Sequence, residues 1–393
     1  MADDGLLAGD FYRYEQLLDG PERELLHRVR DWLTAEVKPI ANDYWGRAEF
    51  PYDLIPRFAG LNIAGISYDE VPGTAPSALL SGFLSLELSH ADPSFGTFYG
   101  VHSGLAMGSI ARCGSSEQRE RWLPAMGRME KIGAFALTEP TGGSDVAGGL
   151  RTTARRDGDG WVLDGSKRWI GNGTFCDYMV VWAKDAETKK VLGFVVEKDN
   201  PGMTTAKIEN KMALRAVQNA DVTFTGCRVP EADRLQEAHS FKDTADILRR
   251  TRSGVAWSAV GVMLAAYEIA LAYSTEREQF GRPIAAFQLV QDLLVRMLGN
   301  VTACLGMMVR LAQLQDEQVF ADEHSALAKA YVTSRMRETV GWARELLAGN
   351  GIVLDYDIGR FVADAEALYS YEGTREINTL VVGRAVTGHS AFV

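Results

Sequence analysis

Residues 152–163 read Thr-Thr-Ala-Arg-Arg-Asp-Gly-Asp-Gly-Trp-Val-Leu, and this stretch decides the fold class. Asp157-Gly-Asp-Gly160 is a strong turn sequence between two short runs, which predicts a β-hairpin. Three more β-branched and aromatic runs follow, at Tyr178–Ala183, Val191–Val196 and Val222–Phe224. Charged residues or Gly and Pro bound each run. Residues 132–236 are therefore predicted to form a small antiparallel sheet or barrel.

Helical periodicity occupies the chain on both sides of this β region. Before it, apolar residues recur at three- and four-residue steps, at Leu79, Leu80, Phe83, Leu84 and Leu88. After it, a second stripe comprises Val290, Leu293, Leu294, Met297, Leu298 and Val301. Each set lies on one face of a helix. We predict an α+β multidomain protein: an N-terminal helical domain (1–131), the β domain (132–236) and a C-terminal four-helix bundle (237–393).

Length, charge and cysteine content narrow the classes of function. At 393 residues the chain exceeds the size at which one core usually stops growing. The formal net charge of −11 argues against nucleic acid and against an anionic membrane surface as partners. The four cysteines are scattered, without a CxxC pair or clustered histidines. We therefore predict neither a disulfide framework nor a metal site.

The two ends of the sequence and its longest apolar run bear on localisation. The first residues, Met-Ala-Asp-Asp-Gly, lack the pattern of a secretory signal or a transit peptide. The last residues, Ala-Phe-Val, are not a peroxisomal address. Val255–Tyr273 contains Ser258, Gly261 and Glu268, which favours a buried bundle helix over a membrane span. We expect a cytoplasmic protein without a membrane span.

Glu372 is the strongest candidate for a general base. The apolar and aromatic stretch Ala365–Tyr371 precedes it, and Gly373 follows. Burial disfavours the carboxylate form, so such a Glu has a raised pKa and the basicity needed to remove a proton beside a carbonyl. Gly373 lacks a Cβ, so a substrate can approach the backbone closely. The alternative is an interior carboxylate held in an ion pair.

Two further motifs connect the chain to a known family. Residues 135–145 read Phe-Ala-Leu-Thr-Glu-Pro-Thr-Gly-Gly-Ser-Asp, and residues 167–173 read Lys-Arg-Trp-Ile-Gly-Asn-Gly. Followed by Tyr371-Glu-Gly-Thr374, they resemble the acyl-CoA dehydrogenase/oxidase flavoprotein superfamily from about residue 20 to the end. The pattern is most similar to glutaryl-CoA dehydrogenase and to plant short-chain acyl-CoA oxidase. Since no Rossmann fingerprint appears, a doubly wound nicotinamide enzyme is disfavoured.

The resemblance implies FAD, bound between the β domain and the helical bundle. The implied flavin-binding positions are Phe135, Leu137, Thr138, Gly143, Ser144, Trp169, Ile170, Gly171, Thr374 and Glu376. A neighbouring subunit of a homotetramer would hold the pyrophosphate and adenine through Arg277, Gln279, Phe280, Gln288, Glu345 and Gly349. An arginine fork suits phosphate geometry.

An acyl-CoA substrate is also implied by the resemblance. Its positions would be Ser144, Arg252, Tyr371, Gly373 and Gly96. Where glutaryl-CoA dehydrogenase carries an arginine for the distal carboxylate, this chain has Gly96. We therefore expect a neutral short acyl group, with glutaryl-CoA accepted only if another cation, such as His102, serves. Some relatives carry their base at the place of Thr251, which cannot act as one, so Glu372 is the expected base.

The implied activity is FAD-dependent α,β-dehydrogenation of a short-chain acyl-CoA to a trans-2-enoyl-CoA. Electron-transfer flavoprotein or a similar acceptor would be the redox partner. Three alternatives stay open: a short-chain acyl-CoA oxidase, a glutaryl-CoA dehydrogenase, and an inactive scaffold of the same fold. The oxidase gains support because Gly171 replaces a common threonine and is expected to open space for oxygen beside the flavin. The intact motifs argue against the scaffold.

Overall fold

The N-terminal part of the chain is helical in the computed structural model, which describes residues 6–71 and 76–392. Its helices are α1 Gly20–Glu36, α2 Ala41–Arg47, α3 Ile55–Ala59, α4 Ala78–Ala91, α5 Pro93–Tyr99, α6 Gly108–Cys113 and α7 Ser116–Gly127. A capping side chain fixes the start of helix α4, where the Ser77 hydroxyl accepts a hydrogen bond from the Leu80 N–H. Between α5 and α6 the backbone is π-helical over Gly100–Met107. Such wide turns are frequent at functional sites.

A seven-stranded sheet forms the middle of the chain. Its strands are β1 Gly133–Ala136, β2 Thr153–Asp157, β3 Gly160–Ile170, β4 Tyr178–Asp185, β5 Val191–Glu197, β6 Met203–Lys207 and β7 Ala220–Pro230. The order is β1-β4-β2-β3-β7-β6, and β5 also pairs with β4. The predicted hairpin is confirmed by the Asp157–Gly160 pair that closes β2 and β3. A one-turn helix, α8 Val146–Gly149, lies between β1 and β2.

Most strand pairs are antiparallel, as the hairpin and turn signals predict, but two are parallel. Strand β4 pairs in parallel with β1 and with β2. Turn residues report only how consecutive strands connect, whereas these pairs join strands separated by a long connection. The sheet is therefore mixed, which the sequence patterns did not indicate.

Five long helices complete the chain. They are α9 Phe241–Glu276, α10 Gln288–Asp316, α11 Asp322–Leu346, α12 Ile358–Ser370 and α13 Arg375–Thr387, with a two-residue pair of strands, β8 Glu278–Gln279 and β9 Arg282–Pro283, after α9. Helices α9 and α10 are long and apolar enough to cross a membrane by length and composition. In α9, 72% of the most apolar window is buried, as predicted for a bundle helix, whereas only 33% is buried in α10.

Two glycines bring α4 and α9 close together. A Cβ added at Gly261 of α9 would lie 2.2 Å from the Leu86 carbonyl oxygen of α4. In the same way, a Cβ at Gly82 of α4 would lie 2.2 Å from the Trp257 ring of α9. Any larger side chain would push the helices apart. The close contact fixes two walls of the cleft described next.

Candidate active site

A cleft of about 2070 Å³ lies where the three parts of the chain meet. The β region contributes the motif residues Phe135, Leu137, Thr138, Gly143, Ser144, Trp169, Ile170 and Gly171. The helices contribute Gly96, Thr251, Arg252, Tyr371, Gly373, Thr374 and the carboxylate of Glu372. Residues from three distant motifs therefore share one cavity. This is the kind of concave, partly apolar site in which ligands bind.

A buried ion pair holds the loop after β1 against the sheet. Lys167 Nζ lies 3.0 Å from both the Glu139 Oε1 and the Leu137 carbonyl oxygen. Glu139 also accepts hydrogen bonds from the backbone N–H groups of Arg151 and Thr152. Burial alone would raise the pKa of Glu139, but Lys167 and these N–H groups hold it below its ordinary value. The glutamate of the 135–145 motif thus fixes the loop, a role that its sequence position did not reveal.

Trp169 projects into the cleft from a bulge. The register between β3 and β7 shifts between Lys167 and Ile170, and Trp169 has a left-handed backbone with φ 64°. Its ring is 53% exposed, and the Arg168 guanidinium lies 5.0 Å from the ring centroid. Arg168 is in turn paired with Asp221 at 2.7 Å. The exposed Trp169 ring can stack against a planar ring system.

Gly171 lines the cleft, but the position that a side chain would take there is closed, contrary to expectation. A Cβ at this position would lie 2.9 Å from Cγ2 of Val101, a residue of the π-helical segment. The valine side chain therefore occupies the volume that the glycine leaves. The expectation was wrong because Val101 lies far away in sequence, on a segment whose course the motif does not indicate.

Glu372 is a half-buried residue that lines the cleft, and its Oε2 atom is shielded from solvent. Its Oε2 has no hydrogen-bond partner among the described residues, and its backbone is left-handed, with φ 53°. Burial raises the pKa of Glu372, while the Thr251 hydroxyl and the charges of Lys329 and Arg252 act in the opposite direction. Sparsely populated backbone conformations are found disproportionately at active sites. Its desolvated, unpartnered oxygen is available to take a proton.

Three more side chains support this base, and sequence reasoning assigned none of them a positive role. Lys329 and Asn378 both donate to the Gly373 carbonyl, at 2.6 Å and 2.9 Å. Thr251, considered only as a position for an alternative base, places its hydroxyl near Glu372. Arg252 was predicted, and its guanidinium is paired with Asp322 at 2.6 Å.

The far end of the cleft, beyond Glu372, has few charged residues and much free space. Arg252 and Asp316 are charged and line the cleft. From Gly254 towards the C-terminal end of α9 the lining residues are Gly254, Val255, Trp257 and Ser258, opposite Ser81, Gly82 and Ser85 of α4 and Gly96, Thr97 and Gly100 of the α5 segment. None of these residues is charged. A Cβ at Gly100 would meet nothing within 4 Å, and one at Gly254 would reach only Ser85 Oγ, at 4.0 Å. The acyl group expected here would therefore lie among neutral walls.

His102 cannot supply the cation considered for a distal carboxylate. It is fully buried in the π-helical segment, where Nδ1 accepts from the Gly133 N–H and Nε2 donates to the Met126 carbonyl, both at 3.0 Å. Burial lowers its pKa to about 4. Gly96 has no room for a long side chain either, because a Cβ there would lie 2.4 Å from Ser89 Oγ.

Seven predicted residues lie outside the cleft. Those assigned to a neighbouring subunit's FAD are exposed: Arg277, Gln279, Phe280, Gln288, Glu345 and Gly349. That assignment stays a prediction. Glu376 is also exposed: Thr374 caps α13 by accepting from the Ile377 N–H, and the first turn then carries Glu376 outward to pair with Arg375 at 2.8 Å. Its contact with the flavin stays a prediction. Glu376 does not reach the cleft within this chain.

The donor set of the cleft fits the expected flavin. Apolar Phe135 and Leu137 and the open Trp169 face suit the ring, and the hydroxyls of Thr138 and Ser144 suit its polar edge or a phosphate. The unpartnered Glu372 oxygen lies in the same cleft, where it is available to accept a proton.

Comparison with known families matches the chain along nearly its whole length. Three family models match in order: the N-terminal, middle and C-terminal domains of acyl-CoA dehydrogenase, at residues 21–130, 134–227 and 241–387. An acyl-CoA dehydrogenase of Bacillus subtilis is 33% identical over 365 residues, which cover 92% of this chain and 96% of the relative. The mitochondrial short-chain specific acyl-CoA dehydrogenase of Rattus norvegicus is 32% identical, over 96% of this chain and 94% of its own.

Solved structures agree with these matches. A glutaryl-CoA dehydrogenase from Mycobacterium smegmatis in complex with FADH2 has a TM-score of 0.94 at 33% identity, covering 97% of this chain and 98% of its own. Butyryl-CoA dehydrogenase from Megasphaera elsdenii has a TM-score of 0.89 at 28% identity, covering 94% and 98%. The chain therefore belongs to the acyl-CoA dehydrogenase family of FAD-dependent enzymes.

Proposed function

We propose that this enzyme dehydrogenates a short, neutral acyl-CoA at its α and β carbons, with Glu372 as the base. The observation that carries the proposal is the buried Oε2 of Glu372, which has no hydrogen-bond partner among the described residues. Glu372 lines the same cleft as the residues expected to bind the flavin. FAD, when bound, supplies the hydride acceptor for the β carbon. Glu372 takes the α-proton, and the electron pair of the broken α C–H bond becomes the second bond of the trans-2-enoyl product.

The backbone beside the base can stabilise the charge that develops on the thioester. Among the described residues, the Glu372 N–H has no hydrogen-bond acceptor. A thioester oxygen that accepts from this N–H would carry part of the negative charge as the α-proton leaves. Lys329 and Asn378 hold the adjacent Gly373 carbonyl, so the N–H is presented in a fixed direction.

The mouth of the cleft has the cations that a CoA carrier needs. Arg112, Arg249 and Arg250 all line it and all pair with one carboxylate, that of Asp246. Three guanidinium groups around one carboxylate leave a net positive charge. Arginine matches phosphate geometry through its planar fork. Asp246 precedes Thr251 by less than two turns of α9, on the side opposite the neutral acyl end.

A second copy of the chain is proposed to cover the surface beside α10. Large apolar side chains are exposed there, at Phe280 (94%), Leu289 (82%) and Ile352 (73%). Arg277, Gln288 and Gly349, implied to hold the far end of FAD, lie next to them in sequence. Contiguous exposed apolar residues mark contact surfaces. A homotetramer, the assembly implied by the resemblance, is the arrangement that we propose.

The function is tested by anaerobic titration of the yellow enzyme with a panel of acyl-CoAs. We expect butyryl- to hexanoyl-CoA to bleach the flavin absorbance, and electron-transfer flavoprotein to restore it. Admission of air afterwards measures the oxidase alternative in the same cuvette. Protein that is colourless and cannot be reconstituted with FAD would instead support the scaffold alternative.

Because Val101 fills the space beside Gly171, we expect Val101 to limit the access of oxygen to the reduced flavin. Val101→Ala removes the side chain that occupies this volume, so we expect air to reoxidise the bleached enzyme several-fold faster than wild type. Gly171→Thr in the Val101→Ala background refills the volume and is expected to restore slow reoxidation. Stopped-flow spectroscopy with the same acyl-CoA measures all three rates. Equal peroxide production by the three proteins would show that this space does not control the acceptor.

A further inference from the structure

Lys329 lies at the centre of the helical bundle, directly beneath the catalytic loop. It belongs to α11 and is only 1% exposed. Its Nζ donates to the Gly373 carbonyl at 2.6 Å and lies 3.4 Å from the Tyr369 carbonyl. These two carbonyls flank Glu372 on either side. The ammonium group thus contacts the chain just before and just after the base.

Asn378 provides the same kind of contact without a charge. Its Nδ2 donates to the Gly373 carbonyl at 2.9 Å and to the Thr374 carbonyl at 3.0 Å. The Gly373 carbonyl is therefore held from α11 by a cation and from α13 by an amide. Such support is needed because Glu372 and Gly373 both have left-handed backbones, with φ 53° and 87°.

The charges that face Glu372 come from three helices. Helix α9 contributes Arg252, whose charge is countered by Asp322 at 2.6 Å. Helix α11 contributes Lys329, which has no carboxylate within ion-pair distance in the described part of the chain. On α13, Arg375 and Glu376 pair with each other at the surface. Lys329 is therefore the buried cation whose charge is left to act on the base.

Two further groups lie near this cluster. The phenol of Tyr371 precedes the base, and burial keeps its pKa above the ordinary range, so it is neutral. Asp364 of α12 acts on Tyr371 rather than on Lys329. Neither group offsets the charge of Lys329. Burial lowers the pKa of Lys329 itself to about 8, with Glu372 opposing that change, so the amine is protonated at neutral pH.

We propose that Lys329 is a positioning residue for the base: its ammonium group holds the Gly373 carbonyl, and its positive charge favours the carboxylate form of Glu372. The proposal rests on the proposed role of Glu372. Burial alone pushes the pKa of Glu372 upward, and a base that is already protonated cannot accept the α-proton. A nearby cation opposes that effect without bonding to the carboxylate, so Oε2 stays available.

The test is the pH dependence of flavin reduction by butyryl-CoA under anaerobic conditions. In Lys329→Met the cation is gone, so the pKa of the base rises and the carboxylate forms only at higher pH. We expect the midpoint of the rate profile to move up by at least about one pH unit, the lower end of the effect of a nearby opposite charge. Below the wild-type midpoint the variant is then about tenfold slower. At high pH the difference narrows to the pH-independent factor that loss of the contact with the Gly373 carbonyl causes.

Three companion variants separate charge from geometry. Lys329→Gln is a second charge-free variant and is expected to show the same upward shift. Lys329→Arg retains the charge and is expected to keep the wild-type midpoint. Asn378→Leu removes an uncharged donor to the same carbonyl, so it should slow the reaction by one factor at every pH without moving the midpoint.

Two results would overturn the proposal. One is a Lys329→Met profile that is lower by the same factor at every pH, which would make Lys329 a mere support of the loop. The other is failure of both charge-free variants to fold with FAD, which would assign Lys329 to stability. Wild-type enzyme that acyl-CoAs do not bleach would instead count against the proposed function, so the two failures are distinguishable.

Discussion

Glu372→Gln is expected to slow flavin reduction at least about a thousandfold while the protein stays yellow, within the range by which general-base loss slows enzymes. Glutamine preserves the shape of the side chain and its burial, but it cannot take the α-proton. FAD binding and CoA-ligand binding are expected to persist, since the cleft walls are unchanged. Anaerobic stopped-flow mixing with butyryl-CoA measures the rate.

The matched control is an exposed carboxylate that does not line the cleft. Glu317 pairs with Arg310 at the surface, at 2.8 Å, and does not line the cleft. Glu317→Gln is expected to reduce its flavin at the wild-type rate. A near-wild-type rate in Glu372→Gln would instead mean that the base is elsewhere.

Glutaryl-CoA is expected to be turned over at least about a hundredfold less efficiently than butyryl-CoA. The α9 residues from Gly254 onward that line the cleft, and the α4 and α5 residues that line it, are uncharged, and His102 is buried and neutral. A distal carboxylate entering this end loses its hydration without a compensating cation, at a cost of several kcal/mol. Each 1.36 kcal/mol is about tenfold in kcat/KM. Side-by-side steady-state kinetics with the two substrates measure the ratio.

A preference for glutaryl-CoA would contradict this prediction. It would require a cation from outside the far end of the cleft. The comparison of the two substrates is informative because this fold is nearly superimposable on that of the Mycobacterium smegmatis glutaryl-CoA dehydrogenase. Gly96→Arg alone is not expected to create glutaryl-CoA activity. Its Cβ would lie 2.4 Å from Ser89 Oγ, so the Ser89 side chain would have to move first.

The sequence predicted those parts of the molecule that depend on local patterns. The Asp157–Gly160 turn indicated the hairpin, apolar stripes indicated the helices, and three motifs placed Glu372 opposite the flavin-binding segments. What it missed depends on contacts between distant segments. Lys329 lies 44 residues before the Gly373 carbonyl that it contacts, and an isolated lysine in a helix carries no signal of burial. Val101 fills the space beside Gly171 only because its segment is π-helical.

The left-handed backbone of Glu372 has an evolutionary consequence. A residue other than glycine is disfavoured there by about 1–2 kcal/mol, whereas asparagine adopts this conformation more readily. Selection for thermal stability alone would favour another residue here, whereas the proposed catalytic role favours the glutamate. A descendant relieved of its catalytic duty should lose this residue early and gain stability as it does so.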